Sequence, residues 1–123
     1  MPTVSVIIPA YNQGQYLSDA VQSVLRQTYA DLEILVVDDG STDGSPEIVR
    51  RLENEYAGRI TRASQGNLGP YAARNHGLRL AKGDYVAFLD ADDWWSSDCL
   101  QKLLSALSED NTAALAYCGW QNV

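Results

Sequence analysis

The stretch Tyr85-Val86-Ala87-Phe88-Leu89-Asp90-Ala91-Asp92-Asp93-Trp94-Trp95 sets an apolar run directly against three carboxylates. The run from Tyr85 to Leu89 reads as a buried strand, of the kind a parallel sheet covers on both faces. A buried strand gains no stability by ending in acids. Carboxylates this close raise one another's pKa and repel unless a cation lies among them, and hard oxygen ligands of this type suit Mg²⁺ or Mn²⁺. Asp-x-Asp at a strand's C-terminal end therefore suggests a divalent metal that carries a phosphate. The competing reading is a polar loop whose aspartates cap the following helix.

The segments on either side decide what kind of sheet holds this strand. Val4 to Ile8 is β-branched at nearly every position, again the mark of burial on both faces, and Pro9 is expected to end it. Leu17, Ala20, Val21, Val24 and Leu25 then fall on one helical stripe. Leu32 to Val37 is a second buried strand, closed by Asp38-Asp39 and the turn-rich Gly40 to Gly44. Ser45 as N-cap and Pro46 at N1 open a helix with Ile48, Val49, Leu52 and Tyr56 on its apolar face. Arg59 to Ala63 is a short strand, followed by the polar loop Ser64 to Gly69. Pro70 opens another helix, running through Ala73, Gly77, Leu80 and Ala81. After the opening stretch, Leu100, Leu103, Leu104 and Leu107 predict a helix and Ala113 to Tyr117 a fifth strand.

Strands alternating with helices predict an α/β fold: a Rossmann-like, mostly parallel sheet wound by right-handed crossovers, with helices on both faces. Such sheets bind ligands beyond the carboxyl ends of their strands. Tyr11 and Asn12 follow the first strand, Asp38 and Asp39 the second, and Asp90, Asp92 and Asp93 the later one. All lie on one edge, which favours a metal and nucleotide site over helix capping.

The chain has 123 residues and 46% hydrophobic composition, which fits one domain, 1–123, with a core of its own. A net charge of −7 is the wrong sign for a nucleic-acid backbone or an anionic membrane. Cys99 and Cys118 are too few for a disulfide framework and are read as free thiols, buried or half-buried. The N-terminus lacks the pattern of a secretory leader, and no segment is of membrane-spanning length. The expected location is cytoplasmic, with any peripheral attachment to a membrane left to regions outside this sequence.

Spacing removes several competitors. Pro9-Ala10-Tyr11-Asn12-Gln13-Gly14 lacks the glycine pattern of a dinucleotide-binding turn, and there is no P-loop lysine. An aspartyl nucleophile would need a carboxylate after the first strand, where none stands.

Four segments, Val6-Ile7-Ile8-Pro9-Ala10-Tyr11-Asn12, Val37-Asp38-Asp39-Gly40-Ser41-Thr42-Asp43-Gly44, Asn67 to Gly77 and Phe88-Leu89-Asp90-Ala91-Asp92-Asp93, together resemble the successive signatures of family 2 glycosyltransferases with the GT-A fold. The resemblance spans nearly the whole chain but only the nucleotide-binding half of that family's catalytic domain. It implies transfer of a sugar from a nucleotide-sugar donor, most often a UDP-sugar, to a saccharide, lipid or protein acceptor with inversion, as in polysaccharide or cell-envelope biosynthesis. The alternative is a nucleotide-binding or interaction module that does no chemistry.

The resemblance also implies roles. Pro9, Ala10 and Tyr11 match the segment lining the base pocket, although Tyr11 also suits the edge of the core. Asp39 resembles the aspartate that accepts a hydrogen bond from the base N–H, with Asp38 as a structural cap for the turn from Ser41 to Ser45. Asp90 falls near the ribose, and Asp92 on the Mn²⁺ or Mg²⁺ that bridges the diphosphate, with Asp93 as the alternative ligand. Arg74 resembles an arginine that contacts nucleotide or phosphate; a surface salt bridge is its other reading. His76 receives no role, and of Trp94 and Trp95 at least one is expected in the core. No catalytic residue is assigned, because the family's general base belongs to the second half of the domain.

Overall fold

The computed structural model describes residues 3–109. Its elements alternate: β1 (Val4–Ala10), α1 (Gly14–Leu25), β2 (Leu32–Asp38), α2 (Ser45–Glu55), β3 (Ile60–Ser64), α3 (Pro70–Leu80), β4 (Tyr85–Phe88) and α4 (Cys99–Glu109). The strands form one sheet in the order β3-β2-β1-β4, with every pair parallel. The predicted fifth strand, Ala113 to Tyr117, lies outside the described residues.

Side chains alternate across a strand, and the core divides accordingly. Val4, Val6, Ile8, Ile34 and Val36 turn to one face, where they meet Leu17, Val21 and Val24 of α1, Val49 and Leu52 of α2, and Leu100 of α4. Ile7, Leu35 and Val37 turn to the other and meet Ala73 of α3. Helices thus cover both faces. α3 reaches the sheet through small residues: a Cβ on Gly77 would stand 2.5 Å from Cγ2 of Ile7, so only glycine lets the helix sit this close. Leu80, expected on the packed stripe, is 39% exposed.

Several expectations fail for identifiable reasons. Pro9 does not end β1 but pairs with Val37 inside it. The carbonyl of Ile7 accepts from Leu89 N–H, so Ile7, and Pro9 two residues on, turn their backbone groups toward β4. Pairing with β4 stops at Phe88, and the N–H that proline lacks has no strand opposite. Tyr85 to Leu89 is not buried throughout, since Tyr85, Val86 and Phe88 are about two-fifths exposed and only Leu89 is inside. β4 is an edge strand among the described residues, paired only with β1. α2 begins one residue early, with Gly44 at the N-cap, and the Ser45 hydroxyl donates to Asp43 instead of capping the helix. Cys99 is buried but disulfide-bonded, contrary to the thiol expected.

No helix among the described residues is long and apolar enough to cross a membrane.

Candidate functional site

The C-terminal ends of β1, β2 and β4 and the N-terminus of α3 enclose a cleft of about 430 Å³, within the range of small-molecule sites. Pro9, Ala10, Tyr11, Asp39, Arg74, Asp90 and Asp92 all line it. Residues from four chain segments therefore meet in one place. Tyr11 is 41% exposed where it lines the cleft.

Asp39 is 4% exposed at the back of the cleft. Gln65 Nε2 at 2.9 Å and Leu68 N–H at 2.8 Å both donate to its Oδ1, and Gly69 N–H donates to Oδ2 at 3.0 Å. Burial pushes its carboxyl pKa up, but the hydrogen bonds from Gln65, Leu68 and Gly69 outweigh burial and hold it below the usual carboxylate value. The group stays ionised and fixed. Its neighbour Asp38 faces the turn instead, accepting from the backbone N–H and the hydroxyl of Ser41, which is the capping role expected of it.

Two loops are tied into place around these carboxylates. Asn12, at φ 51°, accepts Thr42 and Asp43 N–H on its Oδ1 at 2.8 and 3.2 Å and donates its own N–H to Ser41. Gly40, at φ +75°, lies so close to the next loop that a Cβ would meet Asn67 N at 2.8 Å. The β2–α2 and β3–α3 loops thus pack against one another behind the cleft.

At the other end, Asp90, Asp92 and Asp93 bring carboxylate oxygens within 4.8 Å of one another. Burial, then the negative charges of Asp92 and Asp90, push the Asp93 carboxyl pKa up. Three hard oxygen donors that repel one another fit a divalent cation such as Mg²⁺ or Mn²⁺. Asp92 is exposed and lines the cleft, whereas Asp93 is half-buried and does not line it. Arg74 Nη2 lies 3.4 Å from Asp90 Oδ1, with its guanidinium 5.8 Å from the centre of the Tyr71 ring. The salt bridge expected as an alternative to a ligand contact is therefore made to a residue of the cleft itself. Trp95 packs on the core, its N–H donating to Ser23 Oγ, and Trp94 is 43% exposed.

Gln13, Asn67, Gly69 and Pro70 also line the cleft and were given no site role from the sequence. The signal available was the polar loop before Pro70, but its contact with Asp39 spans 26–30 residues and leaves no local pattern. His76, given no role, has Nδ1 3.1 Å from Gln65 Oε1.

Comparison with known proteins identifies the family. Residues 5–121 match the profile of the family described as Glycosyl transferase family 2. The chain is 41% identical over 119 residues to a putative teichuronic acid biosynthesis glycosyltransferase, TuaG, of Bacillus subtilis, covering 97% of this chain and 47% of that protein. The structure of TarS 1-349 from S. aureus in complex with UDP superposes with a TM-score of 0.77 at 31% identity, over 87% of this chain and 32% of that one. That of the mannosyltransferase PcManGT from Pyrobaculum calidifontis, in complex with GDP-Man and Mn²⁺, gives 0.72 at 36% identity, over 76% of this chain and 28% of that one. The chain spans less than half the length of the curated relatives it matches.

Proposed function

Since the chain belongs to glycosyl transferase family 2, we propose that it forms the donor-binding part of an inverting, metal-dependent glycosyltransferase that takes its sugar from a nucleotide-sugar, most simply a UDP-sugar. The observation that carries this reading is the convergence of Pro9, Ala10, Tyr11, Asp39, Arg74, Asp90 and Asp92 from separate segments on one cleft. UDP in the TarS complex and GDP-Man with Mn²⁺ in PcManGT support the ligand class.

In this reading Asp39 accepts the base N–H, Tyr11 lies against the base, and Asp90 faces the ribose. Asp92, with Asp93 beside it, would hold Mn²⁺ or Mg²⁺. A bound divalent ion would neutralise charge on the departing diphosphate. Arg74, released from Asp90 or sharing it, stands ready for a phosphate oxygen, and the N-terminus of α3 adds positive partial charge at the same end of the cleft. The reaction breaks the bond from the anomeric carbon to phosphate oxygen, forms one from that carbon to an acceptor oxygen on the opposite face, and passes the acceptor's proton to a base. No residue of this chain is assigned as that base. The product would be a polysaccharide or cell-envelope glycan, and the acceptor a saccharide, lipid or protein.

Calorimetric titration with UDP tests the donor site. Affinity should rise on adding Mn²⁺ or Mg²⁺, because clustered aspartates otherwise repel the diphosphate, and Asp92→Asn should abolish most of that rise. Equal affinity in chelator would remove the metal from the reading.

A further inference from the structure

Behind Asp39, away from the cleft, a chain of side chains runs from Asp39 to Gln65 to His76. Neither Gln65 nor His76 lines the cleft. The amide of Gln65 can stand only one way: its Nε2 faces a carboxylate oxygen at 2.9 Å, and the reverse orientation would set two acceptors against each other. Oε1 therefore faces His76 Nδ1 at 3.1 Å, and the ring must carry its proton on Nδ1 to donate there.

The consequence falls on Asp39. A carboxylate oxygen has two lone pairs, and both on Oδ1 are taken, by Gln65 and by Leu68 N–H. Among the described residues, Oδ2 accepts only from Gly69 N–H, at 3.0 Å. The buried carboxylate thus has one acceptor position left, and it is on Oδ2.

Resting on the donor-site reading above, we propose that Gln65, oriented by His76, is a specificity-determining positioning residue. By filling Oδ1 from behind, it leaves a single acceptor for the base. A base with one ring N–H between two carbonyls, as in uracil, satisfies that arrangement. Guanine presents a ring N–H and an amino group side by side and would need both carboxylate oxygens. Cytosine presents an acceptor where the N–H is wanted. The site should therefore select uridine nucleotides over guanosine nucleotides, a choice that the UDP and GDP-Man complexes of its neighbours leave open.

The test titrates UMP, GMP and CMP against the unaltered protein and against Gln65→Leu, Gln65→Glu, His76→Leu and His76→Asn. The unaltered protein should prefer UMP. Gln65→Leu and Gln65→Glu, which remove the donor to Oδ1, should narrow the UMP preference over GMP by roughly three- to tenfold, the worth of one hydrogen bond. His76→Leu should narrow it less, and His76→Asn, which keeps a donor where Nδ1 stands, should restore it. A change that only loosened the fold would weaken all three nucleotides alike and leave the preference intact. That outcome, or a preference for GMP by the unaltered protein, overturns the proposal. Because His76 is the only histidine, its ring nitrogens can be read directly by ¹⁵N NMR in the ligand-free protein. In the neutral ring, protonation of Nδ1 with Nε2 bare is expected, and the opposite tautomer refutes the relay whatever the variants do. If UMP binds with preference but Gln65 does not influence it, the donor site stands and this inference falls; if no nucleotide binds at all, the donor site falls and takes this inference with it.

Discussion

Gly77 sits where α3 crosses Ile7, and the 2.5 Å that a Cβ would leave to Cγ2 of Ile7 is far below contact distance. Ile7 is fully buried in the central strand and cannot move aside cheaply. Gly77→Ala should therefore cost about 1–3 kcal/mol, despite alanine's better helix propensity. Urea unfolding measures this, with Gly66→Ala as comparison, since a Cβ there meets nothing within 4 Å. A stabilised Gly77→Ala would mean that α3 stands further from the sheet. At this scale the sequence was only half legible. It placed Asp39 and Asp92 by motif, because strand ends and acidic spacing are local features. It could not show that Gln65, Leu68 and Gly69 surround Asp39, or that Asp92 rather than Asp93 faces the cleft, because both depend on how separate loops pack.

The loops that carry the site are tied down by side-chain to backbone hydrogen bonds. Asn12 ties the end of β1 to the β2–α2 loop, and Ser23 and Gln27 of the α1 end hold Trp95 N–H, Ser96 carbonyl and Leu100 N–H beyond the acidic cluster. Asp39 and Asp43, both in the β2–α2 loop, have carboxyl pKa below the usual value. Hydrogen bonds from the Ser45 hydroxyl and backbone lower Asp43 against a small opposing effect of burial, and those on Asp39 win over burial in the same direction. A folded-state pKa below the unfolded one gives stability that is present above the ordinary value of 3.8 and lost as pH falls through the lower folded values. Stability should thus decline from about pH 4 downward, and Asp43→Asn should lower it at neutral pH while flattening that decline. Urea titrations at several pH values decide it; an acid slope unchanged by the substitution would show that Asp43 gains nothing from its charge. Helices and strands were legible from periodicity and β-branching to within a residue or two. Pro9 was the exception, because whether proline ends a strand depends on whether a neighbour lies opposite its nitrogen, which a single strand's sequence does not contain.

For the molecule as a whole, the alternation of strands and helices was enough to specify a parallel sheet covered on both faces and the edge on which the cleft residues gather. Strand order was not. The apolar run in β4 looks like that of a central strand, yet among the described residues β4 is outermost, with Tyr85, Val86 and Phe88 about two-fifths exposed. The pairing that holds it is also remote, since Thr3 N–H donates to Asp84 across 81 residues of chain. Closing that span before any contact rewards it is slow, so β4 is expected to join the sheet after β1 and β2 have met. A strand gained last, and paired on one side only among the described residues, should open first. Amide hydrogens of β4 are expected to exchange with solvent deuterium well before those of β1 and β2, and protection that matches theirs would show that the sheet opens as one unit. Each such opening would carry Asp90, Asp92 and Asp93 away from Asp39, giving the acidic end of the cleft and the Asp39 end different lifetimes. A ligand that spans both would close the gap between them, and its binding should be visible as slowed exchange in β4, with little change in β2.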